Sequence, residues 1–495
     1  MNAPGAPSTL VESVRSLLAQ ASNAYREMPL QHARLTAAVN RLDEPLRVAI
    51  AGKVKAGKST LLNALVGEEL APTDAGECTR IVTWYRDGIT YRVTLVPTQG
   101  EARQMPFTRD AGAIQVDLDN FGVNDVAELQ IEWPSASLRE MTLIDTPGIA
   151  SLSADASARA YAFLTPGEDH VSAADAVLYL MRHLHATDVN LLEAFHDEEF
   201  SQATPVNAIG VLSRADEVGA GRIDAMASAQ RVAARYRHDP KVRRLAQTIV
   251  PVAGLLAQSG ATLRETEYKV LDAIAAASRE DSDALCLSAD RFLGAETTIP
   301  LTPADREHLL DRLGLFGIRL AVALIRQGGA PNATALADEL LRRSGVLELT
   351  ETLLTQFAER RDVLKARSAL LALDGVLRDE PVEGSDALAN ELERITSAAH
   401  EFAELRLLNL LRAGSMTLKE EEADAMERLL GAEGGSLPAR LGLDPNAAES
   451  DMRQALQDNL ARWQRRAESP MSSRDVSDAA RVLVRTCEGL LVGLG

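Results

Sequence analysis

Six short apolar runs punctuate the first half of the chain: Leu46–Ala51 (LRVAIA), Ile81–Tyr85 (IVTWY), Met141–Ile144 (MTLI), Ala176–Met181 (AVLYLM), Val206–Leu212 (VNAIGVL) and Thr248–Val252 (TIVPV). Their apolarity is nearly continuous rather than alternating, which predicts strands buried on both faces of a mostly parallel sheet. Elsewhere the spacing is helical. Thr9–Glu12 reads as a capping box ahead of Leu10, Val14, Leu17 and Leu18, and after Pro29 a second helix places Leu35, Val39 and Leu42 on one face. From Ala261 to Leu341 helical patterns predominate, broken at TIPLTPADRE and RQGGAPNA. Leu388, Leu392, Ile395, Ala399 and Phe402, and later Val476, Ala480, Leu483, Cys487 and Leu490, repeat at intervals that predict bundle seams. The apolar stretch Leu309–Ile325 carries Asp311, Arg312 and Arg319, so a packed helix is favoured over a membrane span.

These patterns divide the chain into N-terminal helices (1–44), an α/β core (45–260) and a helical remainder. Two polar interruptions, Leu373–Asp386 and Leu429–Glu449, mark candidate ends of the bundle. The second holds leucines among Gly and Pro, and is either a lipid-contacting loop or an ordinary helix–helix connection.

Composition narrows the classes. Aromatic residues make up 4%, which favours helices over an all-β fold. The net charge of −19 argues against general nucleic-acid binding and against electrostatic attraction to an anionic membrane. Cys78, Cys286 and Cys487 lie far apart, with no metal-ligand spacing, and read as reduced thiols of a cytoplasmic protein. The first residues lack the charged and apolar regions of a signal peptide.

The candidate chemistry begins where the first apolar run ends. Gly52-x-x-x-x-Gly57-Lys58-Ser59 lies between a strand and a helix, the arrangement of a P-loop. Its glycines let backbone N–H groups form an anion nest at a helix N-terminus, with Ala56 and Thr60 in the same cradle. Lys58 would reach the β- and γ-phosphates, and the Ser59 hydroxyl would ligate Mg²⁺. Asp145-Thr146-Pro147-Gly148 follows a second buried run, so Asp145 is placed to hold Mg²⁺ through water and the Gly148 N–H to sense the γ-phosphate. Ser213-Arg214-Ala215-Asp216 closes a third, where the Asp216 carboxylate can accept from a guanine edge. Ser213 and Arg214 replace the usual pair of such a box, although Arg214 can still lie over a base, so adenine or loose specificity stays open. Ala253-Gly254 suits a backbone contact to the guanine carbonyl. Thr79, in the segment PTDAGECTRIVTWY, is a switch threonine for Mg²⁺ and the attacking water, or an ordinary β-former. His170, His183, His185 and His196 follow DTPG and read as loop histidines rather than a metal site.

The variant GKVKAGKSTLLNAL, the AGECTR segment and DTPG resemble the dynamin superfamily, specifically the bacterial dynamin-like proteins and among them the mycobacterial isoniazid-inducible branch. The resemblance is specific over 46–254, looser through LLDRLGLFGIRLA and SGVLELTETLLTQF, and weak beyond Leu373. It implies an α/β P-loop GTPase domain of dynamin type (45–345) in which 261–345 is a helical extension, plus a separate all-α neck and stalk bundle (346–495) to which the C-terminal helix returns beside the N-terminal helices. It also implies GTP/GDP and Mg²⁺ as cofactors, and self-association through GTPase heads. A second dynamin-like partner and peripheral contact with the inner face of the plasma membrane are implied in the same way. Ras-like GTPases carry a Gln soon after DTPG; here Ile149-Ala150-Ser151 follow. Dynamins use a Gln-Ser pair inside the P-loop, and the matching residues here are Val54 and Lys55. Lys55 stands where guanylate-binding proteins carry an internal arginine finger, so it is a catalytic candidate, with a solvated loop lysine that raises nucleotide affinity as the alternative. A regulatory GTP switch or scaffold acting on a protein partner is the alternative overall function.

Overall fold

The apolar run at Leu46–Gly52 forms β1, the strand about which the α/β domain is organised. In the computed structural model, residues 9–72, 81–110, 113–118, 121–148, 174–182, 207–219, 221–243, 245–358, 360–412 and 414–494 are described. The strands that follow are β2 (Val82–Arg86), β3 (Arg92–Pro97), β4 (Arg103–Met105), β5 (Phe107–Asp110), β6 (Ala113–Val116), β7 (Val126–Glu132), β8 (Met141–Asp145), β9 (Ala176–Met181), β10 (Ala208–Ser213) and β11 (Ile249–Val252). Nine of them make one mixed sheet in the order β11-β10-β9-β1-β8-β2-β7-β3-β4, and β5 and β6 pair separately. From β11 to β8 all neighbours are parallel. Antiparallel pairing enters only at β2–β8 and beyond, where β3 and β4 extend the edge.

Both faces of β1 are covered, which is why its sequence does not alternate. Val48 and Ile50 pack with Leu61 and Leu62 of the helix Lys58–Val66. Ala49 and Ala51 face the opposite layer with Ala229 and Ala233 of the helix Ala225–His238. The helical extension has its own core, in which Leu271, Ile274, Phe316 and Leu336 meet. Leu309–Ile325 falls inside the helix Pro303–Arg326, kinked at Gly314, with ten of that helix's residues buried. No helix among the described residues is long and apolar enough to cross a membrane.

The remaining helices form two clusters. In the first, Thr9–Ala24 and Pro29–Arg41 pack on Arg361–Asp379 and Ser385–Ala398 around Val14, Leu18, Tyr25, Leu35 and Leu370. In the second, His400–Arg412, Glu420–Leu429, Glu449–Glu468 and Arg474–Gly493 enclose Trp463, Leu408 and Leu483. Among the described residues the C-terminal helix therefore packs in the second cluster and not, as the resemblance implied, beside the N-terminal helices. Ala480, Leu483 and Cys487 of its seam lie in the core it shares with Glu449–Glu468 and His400–Arg412, while the N-terminal helices are already matched by 361–398. The segment Leu429–Glu449 is buried at its start and mostly half-buried or exposed further on. Leu429 and Leu430 are buried, and the Arg360 guanidinium donates to the carbonyls of Leu430 and Gly431, tying the segment to the start of Arg361–Asp379.

A buried polar knot joins the first cluster to the head. Asp175, at the start of β9, accepts from the Arg41 guanidinium at 2.6 and 3.1 Å, from the Arg47 N–H at 2.9 Å and from the Ser368 hydroxyl at 3.1 Å. Lys365 donates to the carbonyls of Leu42 and Glu44 beside it. Removing one partner of such a set leaves buried donors unmatched. Asp175→Ala is expected to lower stability by about 3 kcal/mol, read as a lower midpoint in urea unfolding of the full chain, with Asp175→Asn losing less.

Candidate functional site

The loop from Gly52 to Gly57 owes its shape to three positive φ angles: +151° at Gly52, +61° at Lys55 and +93° at Gly57. At Gly52 a Cβ would sit 2.6 Å from the Leu180 carbonyl oxygen of β9, so only glycine fits. At Lys55 the left-handed turn is held by a non-glycine residue whose side chain is exposed. These turns feed into the N-terminus of the helix Lys58–Val66, the ingredients of a backbone anion site. Ala56 is buried beneath the loop.

Lys58 lies inside the loop with its Nζ 3.5 Å from the Gly52 carbonyl oxygen. Burial lowers its pKa, and the nearby Asp145 carboxylate opposes that shift. Ser59 Oγ donates to Asp145 Oδ2 at 2.9 Å. The two residues meet because β1 and β8 pair in parallel with Ile50 opposite Asp145. Burial raises the Asp145 pKa, opposed by Lys58 and by the Ser59 hydrogen bond. Asp145 Oδ1 is buried and has no hydrogen-bond partner among the described residues. An all-oxygen donor set with one orphaned carboxylate oxygen fits Mg²⁺, which Ser59 and Asp145 would hold between them. Thr146 Oγ1 donates to the Ile50 carbonyl at 2.9 Å, locking the turn after β8 to β1. Gly148 comes so close to the P-loop that a Cβ there would lie 2.6 Å from Val54 Cγ2.

On the base side, Ser213 ends β10 and Arg214 takes a left-handed conformation, φ +52°. The Arg214 guanidinium donates to the Lys55 carbonyl at 3.1 Å and to Glu217 at 2.6 Å, bridging this strand end to the P-loop. Asp216 follows in the turn Ala215–Glu217, its carboxyl pushed above its ordinary pKa by burial. Ala253 and Gly254 leave β11 beside the P-loop helix, where a Cβ at Gly254 would lie 3.3 Å from Thr60 Cγ2. The Ala253 N–H donates to the Ser344 carbonyl at 2.8 Å. Gly345, φ +81°, presses on the Pro251 carbonyl so closely that no side chain fits.

The structure thus gathers Gly52, Lys55, Ala56, Gly57, Lys58, Ser59, Thr60, Asp145 and Gly148 at one end of the sheet, with Ser213, Arg214, Asp216, Ala253 and Gly254 on the adjoining strand ends. Thr79, Cys78 and the four histidines after DTPG lie outside the described residues. Three contributors escaped the sequence reading. Asn63, buried, accepts from the N–H groups of Leu70 and Ala71 and anchors the segment leading toward Thr79. Arg182, just past β9, brings a second guanidinium to 3.5 Å from the Lys55 carbonyl. Ser344-Gly345 supports the loop at Ala253. Position alone could have flagged Arg182, since ligands of open α/β sheets bind at the carboxyl ends of the strands.

This is the phosphate site and sheet of a dynamin-type GTPase domain, and the chain belongs to the dynamin family; the Dynamin family model matches residues 48–214. Similarity extends well beyond that domain. The chain is 41% identical over 486 residues to the isoniazid-induced protein IniC of Mycobacterium tuberculosis, covering 97% of this chain and 98% of that protein. It is 27% identical to isoniazid-induced protein IniA of the same species over 62% of this chain and 44% of that one. A bacterial dynamin-like protein of Nostoc punctiforme is 29% identical over 28% of this chain and 20% of its own length.

A guanine edge read by Asp216 would require the ionised carboxylate, and burial favours the neutral acid. Affinity for a fluorescent GDP analogue should therefore fall on acidification from a pH above the ordinary aspartate range. Asp216→Asn should flatten that limb and shift preference from guanine to xanthine nucleotides, whose 2-oxo group matches an amide donor.

Proposed function

We propose that the chain binds and hydrolyses GTP with Mg²⁺, that two heads meeting complete catalysis, and that the protein remodels or supports the plasma membrane from the cytoplasmic side. The observation that carries the hydrolytic part is the Ser59–Asp145 pair with its orphaned Oδ1, set beside Lys58 in a loop of left-handed backbone. Mg²⁺, when bound, supplies charge neutralisation at the β- and γ-phosphates. Ser59 keeps its O–H on Asp145 and offers a lone pair outward. Asp145, through Oδ1, would help hold the ion by way of water. Lys58 would place its ammonium against the phosphates, and Gly148, packed on Val54, would bring its N–H to the γ-phosphate.

A residue to orient the attacking water is not supplied by Val54, whose side chain is apolar. Lys55 has its carbonyl gripped by Arg214 and Arg182, while its own side chain is exposed and free to act at a head–head contact. It would there neutralise charge developing at the β,γ-bridging oxygen. The membrane part of the reading rests on family membership. The net charge of −19 favours a second reading, a GTP-regulated switch on a protein partner, and co-sedimentation with liposomes separates the two.

The first test is phosphate release from GTP and ATP, with Mg²⁺, over a range of protein concentrations. Specific GTP activity should climb with concentration, and Lys55→Ala should lower the plateau by at least about tenfold, less than arginine fingers supply. Lys55→Gly should fall equally although it relieves the positive φ, assigning the loss to the ammonium. Unchanged turnover in both variants would remove Lys55 from catalysis, and equal turnover of ATP would remove Asp216 from base selection.

A further inference from the structure

A cleft of about 470 Å³ separates the head from the second helical cluster, away from the nucleotide loop. Its size lies within the range of small-molecule sites, roughly 300–1,000 Å³. Three parts of the chain wall it: the end of the helix Ala225–His238 with the segment through Thr248, the junction helix from Val346 with the turn after it, and the helices ending at Arg412 and Leu429. The floor is buried and carries an excess of positive charge. Arg412 is 6% exposed, and its Nη1 has no hydrogen-bond partner among the described residues. It shares one carboxylate, Glu427, with Arg243 of the head, so two guanidiniums face a single acid. Burial lowers the Arg412 pKa to about 10 and raises that of Glu427, the behaviour of an undercompensated cation. Gln356, 5% exposed, gives its Nε2 to the Ala432 carbonyl and leaves Oε1 without a partner among the described residues.

The mouth is the opposite. Glu351 and Asp424 are exposed carboxylates on its rim, with Glu433, which pairs with Arg428. Of the other basic side chains lining the cleft, Arg237 is engaged by Glu348 at 2.9 Å and His238 Nδ1 lies 2.7 Å from the Ala234 carbonyl oxygen. A simple anion would satisfy the floor and meet repulsion at the mouth. A simple cation would do the reverse.

We propose that this cleft binds a small zwitterion of the amino-acid or short-peptide class, its carboxylate on Arg412 and Arg243 and its ammonium between Glu351 and Asp424. Gln356 Oε1 accepts one of its N–H groups. Because Arg243 belongs to the head and Arg412 to the helices, the bound molecule fastens one to the other and adds a second anion to the contact that Glu427 alone now makes.

The test is calorimetric titration of the full chain with triglycine, N-acetyltriglycine (no ammonium), triglycinamide (no carboxylate) and inorganic phosphate. Triglycine should bind saturably, and each of the other three at least about tenfold more weakly, a difference of about 1.4 kcal/mol. Arg412→Met should abolish binding. Because that variant removes a buried charge and can disturb folding, the decisive protein is Glu351→Gln/Asp424→Asn, altered only at exposed positions. It should lose the preference for triglycine over N-acetyltriglycine while its circular dichroism and unfolding midpoint stay unchanged. Absence of saturable triglycine binding, equal binding of phosphate, or a preference that survives the double substitution would overturn the proposal.

Discussion

The nucleotide end of the molecule depends on one constraint: several backbone N–H groups must point at the same small volume. Regular strand and helix cannot do this, since their amides are already paired along the element. The chain meets the requirement by breaking regularity between β1 and the following helix, at Gly52, Lys55 and Gly57. Such a break is tolerable only if its flanks are rigid. Val48, Ile50, Leu61 and Leu62 provide that by packing into one core, and Ala49 and Ala51 anchor the other face of the strand. The surrounding contacts then act on backbone rather than on side chains. Arg214 and Arg182 hold the Lys55 carbonyl, Thr146 holds that of Ile50, and Ser344 holds the N–H of Ala253. A left-handed lysine is kept in place by this scaffold despite a cost of order 1 kcal/mol.

Much of this was legible in the sequence because it is local. A strand buried on both faces announces itself by continuous apolarity, and a phosphate loop by glycine spacing, so β1, β8, β9, β10 and β11 and the P-loop were readable within a residue or two. What was not legible depends on which surfaces meet. The seam on Val476–Leu490 is equally compatible with a place beside the N-terminal helices or beside Glu449–Glu468; periodicity tells that a face is buried, not against what. The leucines of 429–449 looked exposed because Gly and Pro surround them. Leu429 and Leu430 are buried all the same, and Arg440, Arg360 and Gln356 reach the carbonyls of Leu429, Leu430 and Ala432 from 11 to 76 positions away in the chain. Arg182, Asn63 and the Asp175 knot belong to the same class, since each acts on a carbonyl or amide that no motif brings to attention.

The head and the helices also differ in how their charge is managed. Between the head and the first cluster, the buried carboxylate Asp175 is met by a full complement of donors. Between the head and the second cluster the accounting is incomplete, with two guanidiniums on Glu427 and orphaned atoms on Arg412 and Gln356. Polar groups left half-satisfied at a seam weaken it relative to the apolar cores on either side. The two helical clusters are therefore joined to the head by contacts of unequal firmness.

The route of the chain through the first cluster has a consequence for how the protein is made. Tyr25 donates its hydroxyl proton to the Glu380 carbonyl, a partner 355 positions later, and Lys365 reaches the Leu42 carbonyl across 323. The whole head is inserted between these partners. At roughly 5–20 residues per second, the ribosome needs on the order of half a minute to deliver the matching helices. During that interval Leu10, Val14, Leu17, Leu18 and Leu35 present an unmatched apolar face while the head folds beside them. The protein's most exposed moment is thus its own synthesis, and the segment that must be kept from aggregating in that window is the one that precedes the head.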